Sequence, residues 1–343
     1  IRKVILPSLW PAVIAGMALV IFETISDFGG VSTLRVETFT VGIYDAWFGY
    51  QSYFSAARLA GYLLLFVFFI VFISKYFGAN SNTLSSKTAE TFQKIELNKF
   101  NQYMISTTCL SIFVLVFCIP VIQLLVWHFD NLSFNVSESL YLLFNSSILG
   151  VCAALFTVFF AMALSLSYKS NSYIRPFISI ASSGYAVPGS VISAALLIVF
   201  DFVFDTSITL YGVFGLILCL SLRFMTPAFN YINTSLTNIS KSAENALSTQ
   251  PRNSYKAFRL FYLPQMKPAI LLSIMIVFIE SIKEQPATLL LRPVGFDTLS
   301  TKIYNFTSEG QWEMASTPSL FLIALSLVFV YLINKNIDLN KNT

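Results

Sequence analysis

Apolar runs close to 20 residues long recur along this 343-residue chain, and they constrain its fold more than any other feature. An α-helix of about 20 apolar residues is long enough to cross the hydrocarbon core of a bilayer. Hydrophobic residues make up 56% of the chain, charged residues only 11%, and the mean hydropathy is +0.71. A soluble protein of this size carries about twice that share of charge. The sequence therefore predicts an all-α, polytopic membrane protein.

Hydropathy predicts eight membrane spans, which together cover most of the chain. They are Leu9–Ser26, Leu59–Phe77, Tyr103–Trp127, Leu140–Leu166, Phe177–Val199, Thr209–Ala228, Pro268–Ile282 and Pro318–Asn334. The seventh is short by strict hydropathy, so we expect its helix to continue into polar Glu284.

The distribution of positive charge gives these spans an orientation. With the N-terminus in the cytoplasm, sixteen Lys and Arg side chains, Arg223 among them, fall inside and five fall at the outer edge. This bias satisfies the positive-inside rule. Trp47 and Asp201 then mark the outer ends of spans. The five outer cations are Arg35, Arg58, Lys283, Arg292 and Lys302.

An internal repeat indicates two homologous halves. Leu6-Pro7-x3-Pro11-Ala12-x10-Glu23-x-Ile25-x-Asp27 returns 257 residues later as Leu263-Pro264-x3-Pro268-Ala269-x10-Glu280-x-Ile282-x-Glu284. Farther on, Glu37-Thr38-x4-Ile43-Tyr44 returns as Asp297-Thr298-x4-Ile303-Tyr304, with the offset grown to 260. Many transporters are built from such repeats. We expect residues 1–77 to be the last two helices of a first half that begins before Ile1, residues 78–102 to be a cytoplasmic linker, and residues 103–343 to be a second half of six helices.

A polar, basic segment from Asn230 to Lys267 separates two of the apolar runs. Its charge and partly amphipathic pattern predict a cytoplasmic loop on which a partner docks. Only the end of this pattern recurs at the start of the chain, in residues 2–7.

Signatures of catalytic and cofactor sites are missing from the sequence. No G-x-x-x-x-G-K-[ST] motif occurs, so the chain does not bind ATP through a P-loop. The single histidine, His128, cannot supply an H-E-x-x-H motif, and the four cysteines lie inside apolar runs without metal-ligand spacing. We therefore expect no catalytic residues, no metal site and no nucleic-acid partner. We expect membrane lipid to surround the spans.

Acidic residues inside or near the predicted spans are candidates for a polar pathway. Glu280 and Glu284 are four residues apart, and Glu23 and Asp27 repeat that spacing, so a continuous helix would present each pair on one face. A lone carboxylate in lipid costs about 3 kcal/mol, so such residues usually face a cavity or a partner. A cation-permissive pathway and a structural role, with hydrogen bonds and a salt bridge to Lys283, both remain open.

The motif Gly184-Tyr185-Ala186-Val187-Pro188-Gly189-Ser190 falls inside the fifth predicted span. Pro188 removes a backbone donor and bends a helix, whereas Gly184 and Gly189 allow close approach of another helix. The motif predicts either a bend that lines a pathway or a kink that serves packing alone.

These motifs resemble those of known permeases. The pattern Glu244-x-Ala246 followed by Leu263-Pro264 resembles the cytoplasmic "EAA" loop of binding-protein-dependent ABC importer permeases, although Asn245 and Gln250-Pro251 replace the family's preferred Ala and Gly. Lys283-Glu284-Gln285-Pro286-Ala287-Thr288, with Glu23-Thr24-Ile25-Ser26-Asp27-Phe28-Gly29 and Gly184 to Gly189, looks like the ferric-iron permeases that fuse two halves in one chain.

The resemblance implies a type I ABC importer fold in the bacterial inner membrane, working by alternating access. It implies two separate ATPase subunits, which bind the ATP while this chain binds no cofactor. It also implies a periplasmic or lipid-anchored substrate-binding protein. It also implies that the loop couples to the ATPase through Lys241, Glu244, Ala246, Arg252, Lys256, Arg259, Leu263, Pro264, Leu6 and Pro7.

Other readings of the sequence stay open at this stage. Thiamine and aminophosphonate permeases share the two-half plan, so the cargo could differ from ferric iron. A secondary transporter that uses Glu23, Asp27, Glu280 and Glu284 as an ion relay would need no ATPase. An intramembrane enzyme would need a nucleophile and base that the motifs do not reveal.

Overall fold

The computed structural model describes residues 5–78, 97–130, 136–204, 212–240, 242 and 254–341, and every regular element within them is a helix. The first repeat contains α1 (Ile5–Ser26), α2 (Gly29–Thr33), α3 (Phe39–Tyr44), a π-helical turn (Asp45–Gly49) and α4 (Tyr53–Gly78). The middle of the chain contains α5 (Lys99–Phe113), a π-helical turn (Val114–Cys118), α6 (Ile119–Asp130), α7 (Val136–Ser170), α8 (Arg175–Ala181), α9 (Gly189–Phe204), α10 (Gly212–Arg223) and α11 (Met225–Thr237). The last part contains α12 (Ser254–Ala257), a π-helical turn (Phe258–Tyr262), α13 (Leu263–Lys283), α14 (Pro286–Leu291), α15 (Leu299–Ser308) and α16 (Trp312–Lys341).

Helix lengths agree with a polytopic fold, with fewer straight spans than the eight predicted. Five helical stretches of the described chain are long and apolar enough to cross a membrane, and two bent helix pairs raise the number to seven. The five stretches are Tyr53–Ser74, Lys99–Asp130, Ser137–Ser170, Phe258–Lys283 and Trp312–Lys335. The first predicted span lies in α1, where the apolar helix that qualifies, Gly16–Ser26, is shorter than a full span.

The fifth predicted span is not straight: the chain turns sharply at the glycine–proline motif, where the sequence predicts a bend or a kink. Helix α8 ends at Ala181, a single 3₁₀ turn follows at Gly184–Ala186, and α9 starts at Gly189 at an angle of 114° to the preceding stretch. Pro188 stands at this break and cannot donate a backbone hydrogen bond to a helix that would run through it. The chain therefore turns sharply within the apolar region.

The sixth and seventh predicted spans also need correction. The sixth bends by 52° between α10 and α11, and Arg223, at the bend, is only 6% exposed and so does not belong to the cytoplasmic flank. Helix α13 ends at Lys283, because Glu284 adopts an extended backbone with ψ of 117°, and does not continue through Glu284. The bend before α11 and the end of α13 place Arg223 and Glu284 in the protein interior. Helix α5 begins at Lys99, inside the predicted linker.

The core forms where α7 packs against α10, α11 and α13. Ala153, Ala154 and Ala161 on α7 are fully buried, and a Cβ atom at Gly150 would lie 2.8 Å from Phe278 and Ile282 of α13. Small side chains allow helix backbones to approach closely, and apolar helices in lipid associate largely through such packing. The sequence of α7 thus fixes α13 tightly against the centre of the molecule.

The two sequence repeats have the same order of elements. Helices α1 to α4 in the first repeat correspond to α13 to α16 in the second. Thr38 and Thr298 begin the corresponding helices α3 and α15 with nearly the same backbone, φ/ψ of −121°/169° and −116°/169°. The division into a first half, a linker and a second half stays a prediction, and residues 79–96 of the linker lie outside the described residues.

Repeat-related tyrosines meet where the repeats contact one another. The rings of Tyr44 and Tyr304 lie 5.7 Å apart, and Phe28 lies within 5.3 Å of both. Burial raises the pKa of both phenols, so both stay protonated at neutral pH. Equivalent residues of the two repeats thus contact each other in this aromatic cluster.

Candidate functional site

A polar cavity of about 420 Å³ lies at the junction of the two repeats. It is bounded by the ends of α1 and α13, the start of α2 and the bend between α10 and α11. A polar space of this size holds several water molecules or a hydrated ion. Its lining residues are Glu23, Thr24, Ser26, Asp27, Phe28, Gly29, Val31, Arg223, Glu280, Lys283, Glu284, Gln285 and Pro286.

All four repeated acids line this cavity, but not for the reason that their spacing suggested. Helix α1 ends at Ser26 and α13 at Lys283, so Asp27 and Glu284 lie beyond the ends of their helices. The expectation that each pair shares a helical face is therefore wrong. The acids converge because the chain leaves α1 and α13 at equivalent points of the two repeats and turns toward the junction.

The deepest charges in the cavity form one ion pair. Arg223 Nε lies 3.3 Å from Glu284 Oε2, and each side chain is 7% exposed. The Nη1 of Arg223 and the Oε1 of Glu284 have no hydrogen-bond partner among the described residues. Removing one member of such a pair would leave the other charge buried without compensation.

The bend before α9 makes room for this ion pair. A Cβ atom at Gly189 would lie 2.1 Å from Glu284 Oε1 and 3.0 Å from Arg223 Nη1. A Cβ atom at Gly184 would lie 1.8 Å from the carbonyl oxygen of Leu222. Glycine is therefore required at Gly184, where the clash is with backbone, whereas a side chain at Gly189 would displace the Glu284 carboxylate. The bend thus contributes directly to the shape of the site.

A second, more exposed set of contacts joins the two repeats across the cavity. Lys283 Nζ lies 2.9 Å from Glu280 Oε2 and 3.8 Å from Glu23 Oε1, with the Lys283 side chain 46% exposed. The hydroxyl of Tyr185 donates a 2.7 Å hydrogen bond to Glu23 Oε2. The first repeat, the second repeat and the bend before α9 are thus connected through the single carboxylate of Glu23.

The turns that carry Asp27 and Glu284 are held by equivalent hydrogen bonds. Thr40 Oγ1 donates to the carbonyl oxygen of Asp27 at 2.7 Å, and Ser300 Oγ donates to the carbonyl oxygen of Glu284 at 3.3 Å. Thr288 also donates to the Glu284 carbonyl, at 2.8 Å. These bonds satisfy carbonyl groups that the helix ends leave without partners.

Two important members of the site were not identified from the sequence. Arg223 was assigned to the cytoplasmic flank, and Tyr185 was noted only as part of its glycine–proline motif. A lone arginine within an otherwise apolar run was the available signal, because an intramembrane cation needs a carboxylate partner. Among the described residues, no group of three or more His, Cys, Asp or Glu side chains is arranged to hold a metal ion.

The predicted ATPase-coupling loop is only partly covered by the structure. Lys241, Glu244, Ala246 and Arg252 lie outside the described residues. Lys256 and Arg259 are exposed just before α13, Leu263 is half-buried, and Pro264 is exposed in the first turn of α13. The backbone of Leu6 and Pro7 belongs to α1.

Curated proteins with similar sequences are transport-system permeases. The chain is 29% identical over 337 residues to the Fe(3+)-transport system permease protein FbpB 2 of Haemophilus influenzae, covering 96% of this chain and 66% of that protein. It is 25% identical over 312 residues to the ferric transport system permease protein FbpB of Actinobacillus pleuropneumoniae, covering 79% of this chain and 44% of that protein.

This chain is similar to permeases named for ferric-iron transport. It spans about two thirds of the first relative and less than half of the second. The chain is also 23% identical over 188 residues to a putative 2-aminoethylphosphonate transport system permease protein, PhnV, of Salmonella typhimurium. That match covers 53% of this chain and 69% of that protein. No family model matches the chain.

The relatives and the long apolar helices together identify a multi-pass, all-α protein of the bacterial inner membrane. The cavity between the repeats is the candidate site, because it combines four carboxylates, two cations and the ends of α1, α10 and α13.

Proposed function

We propose that this chain forms part of the membrane-spanning permease of an ATP-driven, binding-protein-dependent importer, and that its cargo is ferric iron. The observation that carries the proposal is similarity over 96% of the chain to a permease named for Fe(3+) transport. The chain is a transport subunit; ATP is bound by two copies of a separate ATPase, and this chain binds no cofactor. A periplasmic or lipid-anchored binding protein delivers the cargo to the outer surface.

The cavity supports a role in passage of a cation. Its four carboxylates outnumber its two cations, Arg223 and Lys283, so its charge favours a positively charged species. Weak, distributed carboxylate contacts suit transit, because a pathway must release its cargo as readily as it accepts it. We assign Glu23, Asp27, Glu280 and Glu284 to this pathway, with Gly184, Pro188 and Gly189 shaping the bend beside it.

The helix arrangement offers a mechanical connection between the ATPase and the cavity. The docking segment around residues 241–259 joins α11 to α13, and these helices pack against each other and against α7. Helix α13 has 21 residues, which corresponds to about 32 Å, and its far end reaches Glu280 and Lys283 in the cavity. Movement of the loop on ATP binding would therefore shift the cavity contacts, and the loaded binding protein and ATP together supply the differential affinity that alternating access requires.

A second cargo is supported by one comparison. The chain is 23% identical over 188 residues to the PhnV permease, whose name gives a 2-aminoethylphosphonate cargo. Arg223 and Lys283 would be the groups that contact a phosphonate. An ion-coupled secondary transporter that uses the four acids is the alternative of a different class.

The deciding experiment uses the full-length protein in mild detergent with its co-purifying partners. We expect an ATPase to co-purify and its activity to rise with a ferric-loaded binding protein, and not with phosphonate- or thiamine-loaded ones. Stimulation by a phosphonate-loaded protein alone would replace the cargo. Purification without any ATPase, with uptake that survives ATP depletion and collapses with the proton gradient, would replace the class.

A coupling variant tests the assigned loop. Glu244→Lys should abolish the stimulation while leaving the amount of protein in the membrane unchanged. The control Glu309→Lys, at an exposed acid in the turn after α15, should keep the stimulation.

A further inference from the structure

A second cavity, of about 400 Å³, lies where α4 begins and α9 ends, away from the four-acid cavity. The buried side chains of Trp47 and Leu197 form its floor, and the exposed side chains of Tyr53, Phe54 and Asp201 form its rim. The Trp47 and Tyr53 rings lie 4.6 Å apart at an angle of 52°. None of these residues lines the four-acid cavity.

The walls of this cavity have the composition of an ammonium-binding site. Three aromatic rings and one carboxylate surround it, and aromatic faces attract alkylammonium groups through their quadrupoles. Asp201 forms no salt bridge or hydrogen bond among the described residues, so its charge is available to a ligand.

A cation stands beside the cavity at the same end of the molecule. The Arg58 guanidinium carbon lies 4.2 Å from the centre of the Phe54 ring. Phe54 precedes Arg58 by one turn of α4. A long basic side chain near the end of a span extends in this way toward the polar interface. Arg58 also has no acidic partner within the described part of the chain, and it is not within 4.0 Å of Asp201.

The surroundings of the cavity favour a lipid over a soluble molecule as its ligand. Phe54 is 68% and Phe202 is 89% exposed on helices of apolar, span-forming sequence, and in a membrane such side chains contact acyl chains. In the positive-inside orientation Trp47 marks the outer end of a span, the headgroup level that tryptophan and tyrosine favour, and Tyr53 is in ring contact with it.

We propose that this cavity binds the headgroup of a zwitterionic phospholipid. Trp47, Tyr53, Phe54 and Asp201 hold its ammonium group, and Arg58 binds its phosphate, with which guanidinium forms strong hydrogen bonds. The site joins the start of α4 in the first repeat to the end of α9, and these helices contact each other directly. The proposal does not depend on the nature of the transported cargo.

Native mass spectrometry of the full-length protein tests this assignment. The protein is delipidated, then mixed with phosphatidylethanolamine, phosphatidylcholine or phosphatidylglycerol of identical acyl chains. We expect one ethanolamine or choline lipid to be retained at collision energies that remove phosphatidylglycerol. Asp201→Asn, Phe54→Leu and Arg58→Gln should each lower that retention about threefold to tenfold.

Matched controls separate this site from general lipid contact. Phe202→Leu changes an exposed ring on α9 outside the cavity, and Glu309→Gln changes an exposed acid elsewhere, so both should retain the lipid as the unchanged protein does. Equal retention of phosphatidylglycerol, or no loss in Asp201→Asn, would overturn the proposal. Displacement of the lipid by soluble phosphoethanolamine, with equally tight binding of the soluble compound, would overturn the assignment to lipid.

Discussion

Arg223 and Glu284 form a buried ion pair at the centre of the candidate site. Each is 7% exposed, and each belongs to a helix end that the other helps to position. Two opposite charges in a low-dielectric region attract strongly, but their desolvation offsets much of that gain. Such a pair therefore contributes little net stability while making the loss of either partner costly.

Glu284→Gln should destabilise the protein by about 3 to 5 kcal/mol, because the charge of Arg223 would stay buried without a partner. The double variant Arg223→Met/Glu284→Leu should recover most of that stability, since it leaves no buried charge. Thermal unfolding in detergent measures both stability changes. Uptake of ferric iron, the proposed cargo, by cells expressing the full-length protein then shows whether the stable double variant still transports. We expect the double variant to be stable but inactive in uptake.

The half-exposed Lys283 supplies the control for this pair. Lys283→Gln should cost no more than about 1 kcal/mol, because solvent screens its contacts with Glu280 and Glu23. A double variant that is as unstable as Glu284→Gln would contradict the burial argument. Full uptake by a stable double variant would show that the pair has a structural role only.

At the scale of the helices, the turns after α1 and α13 decide where the acids lie. Neither helix continues through its second acid. In each repeat a hydroxyl from the second helix along, Thr40 in α3 or Ser300 in α15, donates to the carbonyl oxygen of that acid. Thr38 and Thr40, like Thr298 and Ser300, also contact each other through their hydroxyls, at 2.9 and 3.1 Å. The repeat thus preserves a polar turn as well as an apolar pattern.

Thr40→Val should lower stability by about 1 to 3 kcal/mol, because it leaves the Asp27 carbonyl without its side-chain donor. Ser300→Ala should cost less, since Thr288 still donates to the Glu284 carbonyl. Thr40→Ser keeps the hydroxyl and should stay close to the unchanged protein. Thr108→Val is a control, since the exposed Thr108 hydroxyl only bonds back to Met104 in its own helix. Unfolding temperatures that fall equally for Thr40→Ser and Thr40→Val would show that the hydroxyl is not the cause.

At the scale of the whole molecule, the cavity exists only because the two repeats meet. Gly29 of the first repeat approaches Gln285 of the second so closely that a Cβ atom on Gly29 would lie 2.2 Å from Gln285 Oε1. Phe28 and Tyr304 pack across the same junction, with ring centres 5.2 Å apart. If cargo passes between the repeats, this junction has to open during each cycle.

A reversible cross-link at the junction should therefore stop uptake. In a background without the native Cys109, Cys118, Cys152 and Cys219, Gly29→Cys/Gln285→Cys should cross-link on oxidation, lose uptake, and regain it with dithiothreitol. The control pair Arg292→Cys/Asp297→Cys lies within the second repeat, where the native side chains form an ion pair, and should keep its uptake when cross-linked. Unchanged uptake in a fully cross-linked Gly29→Cys/Gln285→Cys protein would contradict movement at this junction.

The sequence by itself determined the membrane class, the repeat and the four acids. Apolar runs of span length and a repeat with matching residues are local patterns, and lipid allows only a few ways of satisfying a helix backbone. Hydropathy did not show where helices break, because a run that crosses the membrane straight and one that turns within it have the same composition. The glycine–proline motif predicted a bend at Gly184–Gly189, but the sharpness of that bend and the break at Arg223 appeared only in the structure.

The tertiary structure decided how those residues combine. Arg223 pairs with Glu284 and Tyr185 bonds to Glu23 across separations of 61 and 162 residues, and no spacing rule relates positions so distant in the chain. Asp27 and Glu284 reach the cavity because hydroxyls from later helices hold their turns, an effect of packing between elements. Local sequence specified which helices form, whereas the contacts between the repeats specified the site, because buried charges lie where a partner from another helix can compensate them.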